Sequence, residues 1–512
     1  MMITANLLEN LFSPMSIFGL LIGVTLGLVI GALPGLGGTM GIALMIPMTY
    51  SMSPGPALIM LTALYTAAVY GGSITAILLH TPGTPASAAT ALDGYELTKR
   101  GEGLRAVGIS TVASCVGGII GGVLLLLIAP QLAKVSVMVN GPEYFLLALF
   151  GLTIIGSLSS GNLLKGILAG VFGLCCALVG QDIINGLPRF HFGITGLQSG
   201  ISTVPALIGL FSFTQVMTTA EELAKGRGTK SNLELAEIKG RILPTFQEFK
   251  SLLPNMLRSS CIGTLIGVLP GAGADIGSWV SYNEAKRWAK NKDEFGRGAI
   301  GGICASEAAN NAVCGGALIP MMTLGIPGSS AAAVLMGGMM IHGLVPGNSL
   351  FSTYADTTYS ILLGYILANV VMAVIGLLIC KKLVNIVRIP NSVLTTVVVV
   401  LSVIGAYAIN NSYVDVVVMI VFGILGYFMR KFDFPAAPVV LALILGSMAE
   451  QGFMRALIMK QDLTVVQYYF GRPVCIILMC LIVVSLFSPL FMNVFSNRMR
   501  QDADVDVDLD ND

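Results

Sequence analysis

Apolar positions in this chain come in long unbroken runs and do not alternate with polar ones. The clearest runs cover residues 107–129, 143–160, 163–180, 200–218, 354–380, 393–410, 413–429, 435–450 and 473–495. A membrane-crossing helix takes roughly 20 such residues, whereas a transmembrane barrel shows short alternating segments. The pattern predicts an all-α polytopic membrane protein with about 11–12 membrane segments.

Two stretches interrupt the pattern with Gly and Pro. Residues 27–41, GLVIGALPGLGGTMG, align without gaps to residues 263–277, GTLIGVLPGAGADIG, and eight of the fifteen positions are identical. A second pair follows in the same order, HTPGTPASAAT at 80–90 and GIPGSSAAAVL at 325–335. The Pro-Gly pairs lie 48 residues apart in the first half (Pro34 to Pro82) and 57 in the second (Pro270 to Pro327). Two ordered matches indicate an internal duplication.

Charge orients the copies. Between its two motifs the first half has MTYSMSPGPAL (48–58), without a charge, while the second has EAKRWAKNKDEFGR (284–297), with five Lys or Arg. After the second motif the pattern reverses. The first half carries Lys99, Arg100 and Arg105, and the second has HGLVPGNSLFSTY (342–354) with none. Short loops rich in Lys and Arg stay in the cytoplasm, so equivalent loops fall on opposite sides, as in inverted-topology repeats. The expected organisation is a first inverted repeat at 1–220, a cytoplasmic linker at 221–252, a second inverted repeat at 253–497 and an acidic disordered tail at 498–512. Arg455, Lys460 and Arg472 fit this topology less neatly than the other basic residues.

Composition agrees. The 512 residues are 55% hydrophobic and 11% charged, with mean hydropathy +0.84. A net charge of +1 gives no bulk attraction for nucleic acid. The nine Cys lack metal-ligand or CxxC spacing and read as small packing residues. The first residues lack the Lys or Arg of a signal peptide.

Backbone without helical hydrogen bonds survives at membrane depth only where protein covers it or a cavity adjoins it. Four breaks meeting near a pseudo-twofold axis would aim free N–H groups and helix dipoles at one point, which suits an anion. Unwound carbonyls and hydroxyls nearby would suit Na⁺. The candidate substrate- and ion-binding residues are therefore Pro34, Gly35, Gly37, Gly38 and Thr39; Thr81, Pro82, Gly83, Thr84 and Ser87; Pro270, Gly271, Gly273 and Asp275; and Pro327, Gly328, Ser329 and Ser330. The glycines at 19, 23, 27 and 31, and at 263, 267 and 271, recur every four residues and are assigned to helix packing. Glu307 is the single charge in the apolar segment 299–325 and shares a helix face with Asn310 and Asn311. A mid-membrane carboxylate costs roughly 2.5–3.5 kcal/mol on insertion scales and normally has a partner or a role. These three residues join the candidates, with a structural hydrogen bond as the alternative. For Asp275 the alternative is a helix cap.

Several chemistries are excluded by pattern. GLGGTMG and GAGADIG are not the dinucleotide fingerprint, and neither GxxxxGK[ST] nor HExxH occurs. His80, His191 and His342 are scattered. No recognisable nucleophile–base pair exists, so the expectation is a non-enzyme without metal or cofactor.

At these motifs the sequence resembles the large membrane subunit of tripartite tricarboxylate transporters, the TctA family. The resemblance spans nearly the whole chain and rests on GALPGLGGTMGIALMIPMTY, YGGSITAILLHTPGTPASAATALDGYELTKRGEG, GVLPGAGADIGSWVSYNEAKR and ASEAANNAVCGGALIPMMTLGIPGSSAAAVLMGGMMIHGLVPG. It implies a multi-pass protein of the bacterial inner membrane. It also implies a small four-helix membrane subunit and a periplasmic solute-binding protein as partners, and carboxylate uptake driven by Na⁺ or H⁺. Asp275 departs from the hydroxyl or small residue that the resemblance implies there, which leaves the cation chemistry open. The competing readings are a channel and a permease that needs no binding protein.

Inverted orientation has a direct check. In a variant without the native cysteines, single cysteines at 50–55 and 345–350 should label from the periplasm. Those at 98–102 and 288–294 should label only from the cytoplasm. Labelling of both 50–55 and 288–294 from one side would contradict the inversion.

Overall fold

The computed structural model describes residues 5–33, 36–135, 140–158, 163–182, 186–225, 241–269, 273–386 and 391–484. The chain opens with α1 (Ala5–Phe12), α2 (Pro14–Ala32), α3 (Gly38–Thr49), α4 (Pro54–Leu79), α5 (Ala88–Lys99) and α6 (Gly103–Val135). Next come α7 (Gly141–Leu158), α8 (Leu163–Ala177), α9 (Thr203–Leu207) and α10 (Thr214–Ala224), the last two joined by a π-helix at Ile208–Phe213. Then follow α11 (Phe246–Val268), α12 (Gly273–Trp288), α13 (Ile300–Leu324), α14 (Ser330–Ile341), α15 (Asn348–Ser352) and α16 (Ala355–Ile386). The described chain ends with α17 (Asn391–Asn410), α18 (Tyr413–Lys431), α19 (Ala437–Met459), α20 (Val465–Phe470) and a further apolar helix at Pro473–Val484. The protein is an all-α polytopic membrane protein. A two-residue antiparallel pairing, Gly180–Gln181 with Pro188–Arg189, is the strand structure among the described residues.

Eight described helices are long and apolar enough to cross a bilayer, including α2, α4, α6 and α16 to α19. Helices α11 and α13 are too polar for that set, yet they pair as α2 and α4 do.

That pairing is built on glycine. A Cβ placed on Gly23, Gly27 or Gly31 of α2 would come within 2.3, 2.6 and 2.0 Å of the backbone oxygens of Met60, Leu64 and Ala68 on α4. A Cβ on Gly263 or Gly267 of α11 would meet the oxygens of Ala309 and Val313 on α13 at 2.4 and 2.5 Å. The reciprocal contacts also match. A Cβ on Gly71 would come within 2.6 Å of the Leu28 oxygen, and one on Gly316 within 2.3 Å of that of Thr264. The glycine stripes thus let two helix backbones touch, the close approach that small residues permit.

The backbone repeats itself at the helix ends as well. Helix α2 stops at Leu33 (φ −84°, ψ 117°) and α11 at Leu269 (φ −76°, ψ 117°). Left-handed residues end α4 and α13, His80 at φ 52° and Gly325 at φ 72°. The chain then doubles back along its own helix. Gly83 N–H donates to the Gly72 oxygen at 3.2 Å, and Gly328 N–H to the Ala317 oxygen at 3.4 Å.

Each half supports the other's buried helix. Helix α4 is buried along its whole length, and α13 from Gly302 to Thr323. Helix α6 covers α13, with Gly117 and Gly121 against the oxygens of Ala308 and Ala312. Helix α16 covers α4, with Gly364 against Ile59. Asp93 of α5 accepts N–H groups from Gly296, Gly298 and Ala299 at 2.8–2.9 Å and the Tyr282 hydroxyl at 2.9 Å. These bonds lock α5 to the second half.

Two basic residues are spent inside the fold. Arg472 pairs with Glu143, which is 1% exposed, and Arg189 pairs with Glu450 at 2.6 Å. An engaged arginine is a poor marker of membrane side, which accounts for Arg472 in the topology. Within the expected linker, α10 runs to Ala224 and α11 starts at Phe246 with a Thr245–Glu248 capping box, and residues 226–240 lie outside the described residues.

Gly31→Ala and Gly267→Ala should each lower stability by about 1–3 kcal/mol, the usual cost of overpacking. Thermal unfolding in detergent measures it, with Gly19→Ala as the milder control because its neighbours begin at 3.1 Å. Unchanged midpoints for both variants would remove the packing role.

Candidate functional site

Four chain segments begin helices around one cavity of about 350 Å³. They are α3, α12, α14 and a one-turn 3₁₀ helix at Pro85–Ser87. The lining includes Gly37, Gly38, Thr39, Thr84, Gly273, Asp275, Pro327, Ser329 and Ser330 from the two repeated motifs, together with Tyr65 of α4.

The local chemistry follows from the starts. Helix α3 begins after Gly37, which offers no side chain to its free N–H groups. Helix α14 is capped by Ser329 Oγ, which accepts the Ala332 N–H at 3.1 Å and lies 2.9 Å from the Tyr65 hydroxyl. Thr39 Oγ1 and Ser330 Oγ lie 3.3 Å apart and join α3 to α14 across the halves. On the opposite wall the duplicated positions hold Asp275 and Pro85, which cannot form that pair. Thr84 is 6% exposed, and its Oγ1 has no hydrogen-bond partner. Among the described lining residues there is no Lys, Arg or His. The cavity thus offers helix N-termini, hydroxyls and one carboxylate.

The other candidates sit elsewhere. Gly83 and Gly328 lie behind the wall. A Cβ on Gly83 would come within 2.0 Å of the Gly31 oxygen, and one on Gly328 within 2.2 Å of the Gly267 oxygen. Their glycine identity is therefore explained by backbone packing, not by approach of a ligand. Thr81 Oγ1 donates to the Leu79 oxygen and Ser87 Oγ to the Thr84 oxygen, so both serve the turn. Pro82 belongs to the same turn without lining the cavity. Pro34, Gly35, Pro270 and Gly271 lie outside the described residues.

Glu307, Asn310 and Asn311 do not line the cavity. Because α13 is buried on all sides, one helix face meets several neighbours. Glu307 accepts hydroxyls from Ser73, Thr90 and Ser114. Asn311 donates to the backbone and side-chain oxygens of Thr66. His80 stacks on Tyr95, with ring centroids 4.5 Å apart.

Sequence reasoning missed two contributors. Pro435, Ala437, Pro438 and Leu441 close one wall from the start of α19. A second chamber of about 300 Å³ shares Gly37 and Thr39 with the first. It is lined by Leu210 and Phe211 of the π-helix and by Arg430, which donates to Gln215 at 2.6 Å. Neither wall carries a motif, although π-bulges recur at functional sites.

Paired helix breaks around a cavity, in a polytopic all-α membrane protein, are the architecture of a membrane transporter. The chain belongs to the tripartite tricarboxylate transporter TctA family, whose model it matches over residues 17–441. It is 35% identical over 454 residues to an uncharacterized 52.8 kDa protein in the TAR-I ttuC' 3' region of Agrobacterium vitis, covering 88% of this chain and 89% of that one. It is 34% identical over 237 residues to an uncharacterized protein in the TAR-II ttuC' 3' region of the same organism, covering 46% of this chain and 97% of that one. No solved structure matches it.

Gly83→Ala and Gly328→Ala should sharply reduce the yield of folded protein. Gly37→Ala should not, since a Cβ there meets nothing within 4 Å. Size-exclusion profiles and thermal midpoints make the comparison. Normal folding of the first two variants would show that the turns can open.

Proposed function

We propose that this chain is the large membrane subunit of a tripartite, binding-protein-dependent secondary transporter. It imports a carboxylate by symport with Na⁺ or H⁺ across a bacterial inner membrane. A small four-helix membrane subunit and a periplasmic solute-binding protein complete the system.

The observation that carries this reading is the convergence of four helix starts, two from each duplicated half, on one cavity whose described lining residues include no basic side chain. Helix N-termini supply the partial positive charge that an anion needs. The buried, unpartnered Thr84 hydroxyl is a further group for it. Asp275 opposes an anion, so a cation entering with the substrate would offset both charges. The two halves, 1–220 and 253–497, act as inverted repeats, with 221–252 as a cytoplasmic linker; the expected tail at 498–512 lies outside the described residues. Reversed loop charge and the matching helix-end geometry support that division. Family membership supports both the partners and a carboxylate as the substrate.

The test is reconstitution of the chain in liposomes with and without the small subunit and the binding protein. Uptake of radiolabelled di- and tricarboxylates is followed under an imposed Na⁺ or proton gradient. Uptake should need all three proteins and a gradient. Gly37→Val should fold yet lose uptake at least tenfold, because its side chain fills the cavity. Full uptake by the isolated chain, or unchanged uptake by Gly37→Val, would overturn the reading.

A further inference from the structure

Away from the cavity, the core holds a carboxylate in a cage of hydroxyls. Glu307 is fully buried. One carboxylate oxygen accepts hydrogen bonds from Ser73 Oγ at 2.6 Å and from Thr90 Oγ1, and the other accepts one from Ser114 Oγ at 2.8 Å. Four helices contribute, namely α4, α5, α6 and α13. No Lys, Arg or His side chain is hydrogen-bonded or ion-paired to Glu307 among the described residues. Neutral hydroxyls solvate the carboxylate but leave its charge uncompensated, an arrangement that low-dielectric surroundings penalise.

The same region holds polar atoms with nothing to do. Ser110, one turn before Ser114 on α6, lies beside the Glu307 carboxylate, and its hydroxyl has no hydrogen-bond partner of normal geometry. Asn310, one turn after Glu307 on α13, is fully buried, and neither of its amide atoms has a partner. Buried polar atoms are normally paired, so idle ones call for an explanation. A proton on Glu307 would cancel the charge, yet its single O–H would engage one acceptor and leave at least one of Ser110 and Asn310 idle. A small hard cation takes several oxygen ligands at once. It would cancel the charge and use the spare oxygens.

The geometry points to a dehydrated Na⁺-class site at Glu307, with the hydroxyls of Ser73, Thr90, Ser114 and Ser110 and the Asn310 side-chain oxygen as its further ligands. Its existence does not depend on the transporter reading, but its coupling role rests on it. The link to the cavity is short. Thr84, Pro85 and Ala86 line the cavity, and Thr90 follows on α5 with its hydroxyl on Glu307. Ser87 Oγ donates to the Thr84 oxygen at 2.7 Å and stiffens the connection. A cation that fixes Thr90 also fixes the cavity wall that Thr84 belongs to, so the cation and the substrate order the same segment.

The test is thermal unfolding of the purified full-length chain in detergent, in NaCl, KCl or choline chloride at constant ionic strength and at several pH values. NaCl should raise the midpoint in a concentration-dependent way, and KCl and choline chloride should not. Glu307→Gln should abolish the Na⁺ shift. Ser110→Ala removes an oxygen without a hydrogen bond of normal geometry, so it should fold normally and weaken apparent Na⁺ affinity at least tenfold. If Glu307→Gln does not fold, Ser110→Ala decides. No Na⁺-specific shift in the wild type, a shift that follows pH alone, or an unchanged Na⁺ response in Ser110→Ala would overturn the site. Na⁺-driven uptake surviving in folded Glu307→Gln would overturn its coupling role. Na⁺ binding without carboxylate uptake in the assembled system would count against the transporter reading and leave the site standing.

Discussion

A helix broken at membrane depth frees backbone N–H and C=O groups where no water can take them. The rest of this fold is organised around meeting that demand. After α4 and after α13 the chain turns through a left-handed residue and lies back on its own helix, returning the Gly83 and Gly328 N–H groups to the oxygens of Gly72 and Ala317. The returning strands fit only because they press against the ends of α2 and α11, where Gly31 and Gly267 present bare backbone. With one side of each break sealed, the unsealed helix starts face a shared cavity.

Sealing depends on the halves exchanging support. Helix α6 closes over α13, α16 closes over α4, and Asp93 gathers three N–H groups from the other half. The duplication is symmetric in these packing terms and asymmetric in chemistry. Thr39 and Ser330 meet across one side of the cavity, whereas Asp275 and Pro85 occupy the corresponding positions. Two equivalent walls therefore present different groups to a ligand, one with paired hydroxyls and one with a carboxylate.

Much of this was legible in the sequence, because bilayer physics leaves few choices. Apolar runs became helices, four-residue glycine spacing became backbone contact, and the matched motifs met at one cavity. Gly83 and Gly328 were harder. The same letters serve a ligand or a neighbouring carbonyl, and only the distance to Gly31 and Gly267 separates the two. Glu307 and Asn311 share a face in sequence, but a helix buried on all sides gives them different partners, the hydroxyls of Ser73, Thr90 and Ser114 for one and Thr66 for the other. The wall at 435–441 and the π-helix carry no motif, since their positions are set by packing between distant segments. Local patterns do not encode such packing.

We propose that the carboxylate substrate binds where the helix starts converge. The direct measurement is a cryo-electron microscopy map of the assembled transporter in lipid with a transported carboxylate bound. The account predicts ligand density against the backbone N–H groups at Gly38–Thr39 and Ser330–Ala331, beside the Thr84 hydroxyl and separate from Glu307. Ligand density outside this cavity, such as beside Arg430 or Arg455 alone, would contradict it.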